Sequence, residues 1–286
     1  MAKLAATNHF CVECRIFEAP MSLKHQLKPL FRKLGLMMFI TQLKYLKTYL
    51  SYYREGKAFL AAHPQLPFPP SYMLYIAYGL NYKHYLEDGE RTARWIKGQF
   101  AAHLPEKGTV LDWGCGPARI TRHLPQVFEN WQVIGTDYDQ ATIDWCSEAL
   151  PNIQFLKNEL TPPLPIGSAA VQAAISISIF THLSAAAHEN WKLELARVLA
   201  PGGLLFVTTQ GDVFLQQMSS AEQHTYQQNQ LVVRATGPEG HRIFGAYHPP
   251  MFMQAFWGTH FDILQHQAGT ISNGKPIQDN WILKRK

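Results

Sequence analysis

Thr109-Val110-Leu111-Asp112-Trp113-Gly114-Cys115-Gly116-Pro117-Ala118-Arg119 is the stretch on which the reading of this 286-residue chain turns. A short apolar run that stops at a Gly-x-Gly turn is a buried strand handing its chain to a ligand, because glycine lets backbone approach where a Cβ would collide. Downstream, short apolar runs alternate with amphipathic stretches. Gln132-Val133-Ile134-Gly135, Ile153-Gln154-Phe155-Leu156, Ala173 to Ile179 and Leu204-Leu205-Phe206-Val207-Thr208 read as four more strands. Helices fall between them, through Ile143 and Trp145 and around Trp191 to Leu199. Strands at Phe261 to Gln265 and Trp281 to Lys284 bring the expected sheet to seven. The alternation predicts an α/β fold, a doubly wound and mostly parallel sheet.

The same turn selects among cofactors. A nicotinamide-binding fingerprint wants GxGxxG, and its third glycine is here Arg119, so that motif is incomplete. Asp112 stands two residues before the first glycine, where a carboxylate repels a pyrophosphate but holds an ammonium group. S-adenosylmethionine carries an ammonium and a sulfonium and no phosphate, so charge favours it over NAD. Asp137 follows Gly116 by 21 residues and ends the second strand. A carboxylate there accepts both ribose hydroxyls of an adenosine, a feature that NAD enzymes share.

With these residues in place, the sequence resembles the class I S-adenosylmethionine-dependent methyltransferases, in particular bacterial small-molecule enzymes. The resemblance covers about residues 71–286. Besides the Gly-x-Gly stretch it rests on Gly135-Thr136-Asp137, Trp145-Cys146, Pro163-Leu164-Pro165 and Ser178-Ile179-Phe180-Thr181-His182-Leu183. Trp191 with Glu194-Leu195 and Arg197-Val198-Leu199-Ala200-Pro201-Gly202-Gly203 complete it. It implies a Rossmann-like methyltransferase fold that uses S-adenosylmethionine, releases S-adenosylhomocysteine and needs no metal. Carried over by residue, Asp112, Gly114, Cys115 and Gly116 would bind the methionine end of the cofactor and Asp137 the ribose. Tyr138 would lie against the adenine, Asn158 would meet its amino group in place of the family's usual Asp, and Leu160 would cover the ring. Ser178 would border the methyl group. Arg119 would place the cofactor or an acidic substrate, with a surface ion pair as the alternative. The family usually has Phe-Asp before the fourth strand, where this chain has Val171-Gln172.

Methyl transfer from a sulfonium asks the protein mainly to align a nucleophile and exclude water. A base is required only for a protonated nucleophile such as an alcohol or phenol. His182, after the fourth strand, is the first catalytic candidate, and His248 in Tyr247-His248-Pro249-Pro250 the second. Tyr72, Tyr75, Tyr78 and Tyr82 recur near helical spacing, and Tyr72, Tyr75 and Tyr82 are taken as substrate-contacting, with simple packing as the alternative. Residues 212–250 are expected to form a substrate-covering insert containing a hairpin, its strands Leu231 to Arg234 and Arg242 to Phe244 joined at Gly237-Pro238-Glu239-Gly240. The expected activity is methylation of a small molecule at O, N or C. A macromolecular or membrane-bound acceptor and a non-catalytic binding module of the same fold are the alternatives.

Away from this core, residues 1–70 read as a basic helical extension ahead of a domain over 71–286, the Pro-rich break 63–70 dividing them. Residues 1–60 hold ten Lys/Arg against Glu13, Glu18 and Glu55, while the other 226 residues carry a net charge of −2. Leu36, Phe39, Ile40, Leu43, Leu46, Leu50 and Tyr53 recur at helical steps with Lys44, Lys47, Ser51 and Arg54 opposite. That helix is expected to pack by its apolar stripe, with peripheral membrane contact as the alternative. The chain lacks the aromatic-basic interleaving of a nucleic-acid module, so no such partner is expected, and the sequence does not set an oligomeric state. Cys11 and Cys14, with His9 and His25 near them, make one CxxC without a second pair, a poor zinc signal. Four cysteines, no apolar block in Met1 to Pro20 and no spanning run point to a cytoplasmic protein with free thiols.

Overall fold

The computed structural model describes residues 37–286, with side chains from Phe39 onward. Cys11, Cys14, His9, His25 and Leu36 lie outside the described residues. The chain divides into two compact units, residues 1–44 and 45–286. Of the first, the described part is the opening of helix α1 (Met37–Ala62). No helix among the described residues is long and apolar enough to cross a membrane.

The larger unit is built on a seven-stranded sheet of β1 (Thr109–Trp113), β2 (Gln132–Asp137), β3 (Gln154–Lys157), β4 (Val171–Ser176), β5 (Leu199–Thr209), β8 (Phe261–Gln267) and β11 (Asp279–Arg285), in the order β3-β2-β1-β4-β5-β11-β8. The first five are parallel, and β11 runs antiparallel between β5 and β8. A short antiparallel pair, β9 (Ile271–Ser272) and β10 (Lys275–Pro276), lies between β8 and β11 in the chain. Strand periodicity sends alternate side chains to two helical layers. Leu111, Trp113, Ala174, Leu205 and Val207 face one core with Trp191, Leu195 and Trp257. Val110, Ala173, Ile175, Leu204 and Phe206 face the other with Ile96, Phe100, Ile143 and Cys146. The first layer contains α6 (Ala185–Val198) and α8 (Pro250–Gly258), and the second contains α3 (Tyr82–Phe100), the short α4 (Leu124–Val127) and α5 (Gln140–Ala149). By that alternation Asp112 points to the second layer.

Several local readings are refined. The chain after residue 70 forms two helices, α2 (Ser71–Tyr78) and α3, because Gly79 (φ +81°) ends the first and the Asn81 side chain accepts the His84 N–H to start the second. After Gly211 a 3-10 turn (Asp212–Gln217) precedes α7 (Ser220–Gln227), which is opened by a Ser219/Glu222 capping box. The insert's hairpin exists, but β6 (Val232–Arg234) pairs with β7 (Gly245–Tyr247), three residues later than expected. Residues 235–244 form a loop instead. Turn bonds from His241 N–H to Pro238 O and Phe244 N–H to His241 O, and Thr236 Oγ1 donating to Ile243 O, occupy the backbone the expected strand needed. Gln172 at the family's Asp position has a structural use, since its Oε1 accepts the Thr109 N–H at 2.7 Å and ties β4 to the start of β1.

Helix α1 does not pack by its apolar stripe. From Tyr45 onward it is held by a tyrosine edge. The Tyr45 ring meets Tyr72 and Tyr75 at centroid distances of 5.1 and 5.3 Å, and its hydroxyl lies 2.7 Å from Ser71 Oγ. Phe39, Leu43, Leu46, Leu50 and Tyr53 are exposed. Tyrosine can bury a ring and still satisfy its hydroxyl, so apolarity alone misidentified the contact face.

Candidate cofactor site

The loop after β1 is folded by its own backbone. Gly114 and Cys115 both donate N–H bonds to Thr136 O, at 2.8 and 2.9 Å, and Gly116 N–H donates to Asp137 Oδ2 at 2.9 Å. Gly114 has φ +75°, and a Cβ there would stand 2.0 Å from Ile179 Cδ1, so both conformation and space call for glycine. Cys115 enters the site through its backbone only. Its thiol is buried beside Gly135, and burial next to Asp137 and Asp112 pushes its titration well up.

Asp112 is buried and accepts the Thr121 Oγ1 hydrogen at 2.6 Å. Burial raises its carboxyl to about 6, although Thr121 and Arg119 pull it down. Arg119 is 9% exposed, which rules out the surface ion pair. Its guanidinium lies 4.6 Å from the Tyr78 ring centroid, and its Nε is buried without a hydrogen-bond partner. Such a donor is suited to an anion. Asp137 is set by α5: its Oδ1 accepts the Asp139 N–H, and Asp139 caps the helix through Thr142 N–H, an arrangement worth about 1 kcal/mol. Burial raises the Asp137 carboxyl.

Asp137, Tyr138, Asn158, Leu160, His182 and Gly240 line one cavity at the carboxyl ends of the parallel strands. Asn158 is buried, with Nδ2 donating to Glu159 O at 2.7 Å and Oδ1 left without a partner. That orphan acceptor fits the amino group of an adenine. Together with the Asp137 carboxylate for a diol and the open loop backbone, the residues fit an adenosine-bearing cofactor. The cavity holds about 60 Å³, and loop 235–244 borders it through Gly240. Gly240 donates its N–H to His182 O at 2.9 Å, and Tyr138 reaches Gly240 O at 3.4 Å. A larger cavity, about 380 Å³, lies against α1 and includes Tyr49, Tyr53, Lys57 and Tyr82. It lacks the Asp137 and Asn158 acceptors of the smaller one, which is the better chemical match to an adenosine.

The remaining expected residues separate. Ser178 sits beyond β4 at φ +61°, its N–H donating to Thr208 Oγ1 and its hydroxyl bonded to Gln278 Oε1. His182 bonds Phe244 O through Nδ1 at 2.8 Å, which makes Nδ1 the protonated nitrogen and leaves Nε2 with the lone pair. Burial and the nearby His241 and Arg242 hold it below the usual imidazole range. His248, the second catalytic candidate, is fully buried away from the cavity. Its Nδ1 accepts the Gln210 N–H and its Nε2 meets His188 Nε2 at 2.9 Å, so both nitrogens are committed to packing. Burial lowers both rings, His188 to about 4.

Of the tyrosines, Tyr72 turns toward Tyr45, and Tyr82 toward Phe68 at 5.6 Å. Tyr75 meets the insert, with the Arg242 guanidinium 5.3 Å from its ring and Arg242 Nη1 bonded to its carbonyl. Tyr78, outside the expected substrate set, is the one beside Arg119. Its signal was its place in the same run. Gly240 stood in the sequence only as part of a turn, and Gly89 was not singled out. An isolated glycine inside the α3 pattern was the available signal for Gly89. Among the described residues no group of three or more His, Cys, Asp or Glu gathers as a metal site.

Residues 110–203 match a family model described as a methyltransferase domain. A trans-aconitate 2-methyltransferase of Variovorax paradoxus is 29% identical over 134 residues, 44% of this chain and 47% of that protein. The chain thus spans about half the length of that curated relative. A solved S-adenosylmethionine-dependent methyltransferase from Methanosarcina mazei superposes with TM-score 0.53 at 15% identity, covering 65% of this chain and 96% of that one. The 1,6-didemethyltoxoflavin-N1-methyltransferase of Burkholderia thailandensis, solved with bound 1,6-didemethyltoxoflavin and S-adenosylhomocysteine, gives 0.50 at 13% identity, over 94% of this chain and 92% of that one. At these identities the two structures speak for the fold.

Proposed function

On the premise that residues 110–203 form a class I S-adenosylmethionine-dependent methyltransferase domain, we propose that this chain is an enzyme methylating an oxygen, nitrogen or carbon nucleophile of a small molecule. The observation that carries the reading is the unpaired Asn158 Oδ1 buried beside Asp137 in the cavity reached from the Gly-x-Gly loop. Asp112 and the missing third glycine turn it away from a dinucleotide. The small size of the acceptor is supported by the relatives' names, trans-aconitate and toxoflavin methyltransferases. The free thiols Cys115 and Cys146 agree with a reducing, cytoplasmic setting.

When bound, S-adenosylmethionine supplies a methyl group on a positively charged sulfur, a donor that needs no further activation. The chain's residues then have distinct tasks. Asp137 accepts the ribose hydroxyls, Asn158 the adenine amino group, and Tyr138 and Leu160 cover the ring. Asp112 offers a carboxylate to the ammonium, and the unpaired Arg119 Nε a donor to the carboxylate. Loop 235–244, anchored by Gly240 on His182, excludes water. His182 Nε2 is neutral at pH 7 and can take a proton from a hydroxyl or amine acceptor, a step that a carboxylate acceptor does not require. Tyr75, Tyr78 and Arg242, where the insert (212–250) meets α2, are the groups proposed to face the acceptor.

The burial of Asp112 makes binding pH-dependent. Its carboxyl is charged above about 6 and protonated below. Affinity for S-adenosylmethionine is therefore expected to hold from pH 8 to 7 and then weaken toward about tenfold per pH unit below 6. Asp112→Asn should bind weakly at all pH values and remove this slope. A wild-type affinity that is level down to pH 5 would contradict the assigned role. Function itself is tested by following a labelled methyl group from S-adenosylmethionine into panels of small carboxylic acids, phenols and amines. Incorporation into one class, absent with Asp137→Ala, is the expected outcome. Label entering only RNA, protein or membrane fractions would contradict the small-molecule reading.

A further inference from the structure

We infer that α1 docks the protein reversibly on an anionic lipid surface. The helix is fixed from its tyrosine edge by Tyr45 and Tyr49, whose rings meet each other, Tyr72 and Tyr75. This leaves its long aliphatic side chains outward. Leu46 is 52% exposed, Leu50 68% and Tyr53 49%, and the line continues along the same helix to Leu43 and Phe39. At 1.5 Å per residue the stripe is about 21 Å long. Single exposed leucines are ordinary, but a row of them on one meridian of a packed helix is a surface for a partner.

The charges around the stripe select the partner. Lys47, Arg54 and Lys57 flank it, and the one acid of the helix, Glu55, falls on the far side at helical spacing. Residues 1–36 bring six more basic residues against two acidic ones. A fold-back of that segment, or a second copy of this helix, would set like charge against like. An anionic bilayer meets both requirements. Leucine and phenylalanine enter the acyl boundary, tyrosine lies at the interface, and lysine and arginine reach the headgroups. Nucleic acid would be served by the charges but not by aliphatic leucines, which give bases no stacking platform. One apolar stripe plus a basic flank is the two-signal combination that gives reversible attachment rather than insertion. The inference stands independently of the cofactor site.

The test is flotation of the full-length protein with phosphatidylcholine vesicles, with and without phosphatidylserine. The wild type is expected to float only with phosphatidylserine present, and less as salt rises. Leu46→Glu/Leu50→Glu should lower the bound fraction by about tenfold or more. Lys47→Glu/Arg54→Glu should abolish the lipid preference. These residues are exposed, so unchanged circular dichroism and melting are expected for both variants. Wild-type protein that ignores the anionic vesicles, or a leucine variant that floats like wild type, overturns the inference. So does single-stranded RNA binding in place of vesicle binding, which assigns the face to nucleic acid. A drop from dimer to monomer in the leucine variant without lipid binding assigns it to a second copy.

Discussion

Asp137→Ala is expected to weaken S-adenosylmethionine binding by at least about a hundredfold, since two hydrogen bonds to a charged acceptor, each contributing about 1.5–3 kcal/mol, disappear together. The carboxylate has two jobs. It is the proposed diol acceptor of the cavity, and its oxygens also hold Gly116 N–H and Asp139 N–H. The alanine variant therefore loses ligand contacts and loosens the loop that presents Gly114 and Gly116. Asp137→Asn separates the two effects. It keeps the side-chain shape and one of the two acceptor oxygens, so it should recover part of the lost affinity and part of the lost thermal stability. Calorimetric titration of the three proteins, with melting curves beside it, reads both effects. An alanine variant that binds within about threefold of wild type would remove Asp137 from the cofactor site.

Gly89→Ala is expected to destabilise the fold by about 2 kcal/mol, against what helix propensity predicts. Gly89 lies inside α3, where alanine would ordinarily gain about 1 kcal/mol. A Cβ there, however, would stand 2.1 Å from the backbone carbonyl oxygen of Arg119 and 3.0 Å from its carbon. Backbone cannot rotate aside as a side-chain tip does, so helix and loop must separate. That separation displaces Arg119, whose buried guanidinium is proposed to meet the cofactor's carboxylate. The variant should therefore melt about 4–8 °C lower and bind S-adenosylmethionine more weakly. Gly98 in the same helix is the control. It is exposed, nothing lies within 4 Å of its added Cβ, and Gly98→Ala should be neutral or stabilising. Two equally harmless variants would mean that the helix and loop do not touch as described.

These two residues show what a sequence conveys and what it withholds. Asp112, Gly114, Gly116 and Asp137 were legible because their chemistry is tied to strand ends and to backbone conformations that few residues adopt. Asn158 stood out only through the resemblance to the family, and its orphaned oxygen could be seen only in three dimensions. The sheet followed from alternating apolar runs, because buried parallel strands leave little room for other residue types. Contacts between distant segments left no such trace. Gly89 matters because of Arg119, Gly240 because of His182 and Tyr138, and Gln172 because of Thr109. Helix α1 was misread at its packing face because hydrophobicity ranks leucine above tyrosine, whereas Tyr45 found both an aromatic neighbour and Ser71. His248 suggested catalysis by its position near the end of the insert, yet His188, 60 residues earlier, claims its ring.

The most direct test of the central claim is calorimetric titration of the wild-type chain with S-adenosylmethionine, S-adenosylhomocysteine and NAD. The account predicts micromolar binding of the first two, because Asn158, Asp137 and the Gly-x-Gly loop serve adenosine while Asp112 favours an ammonium over a pyrophosphate. Binding of NAD with affinity equal to or above theirs, or heat from none of the three, would contradict it.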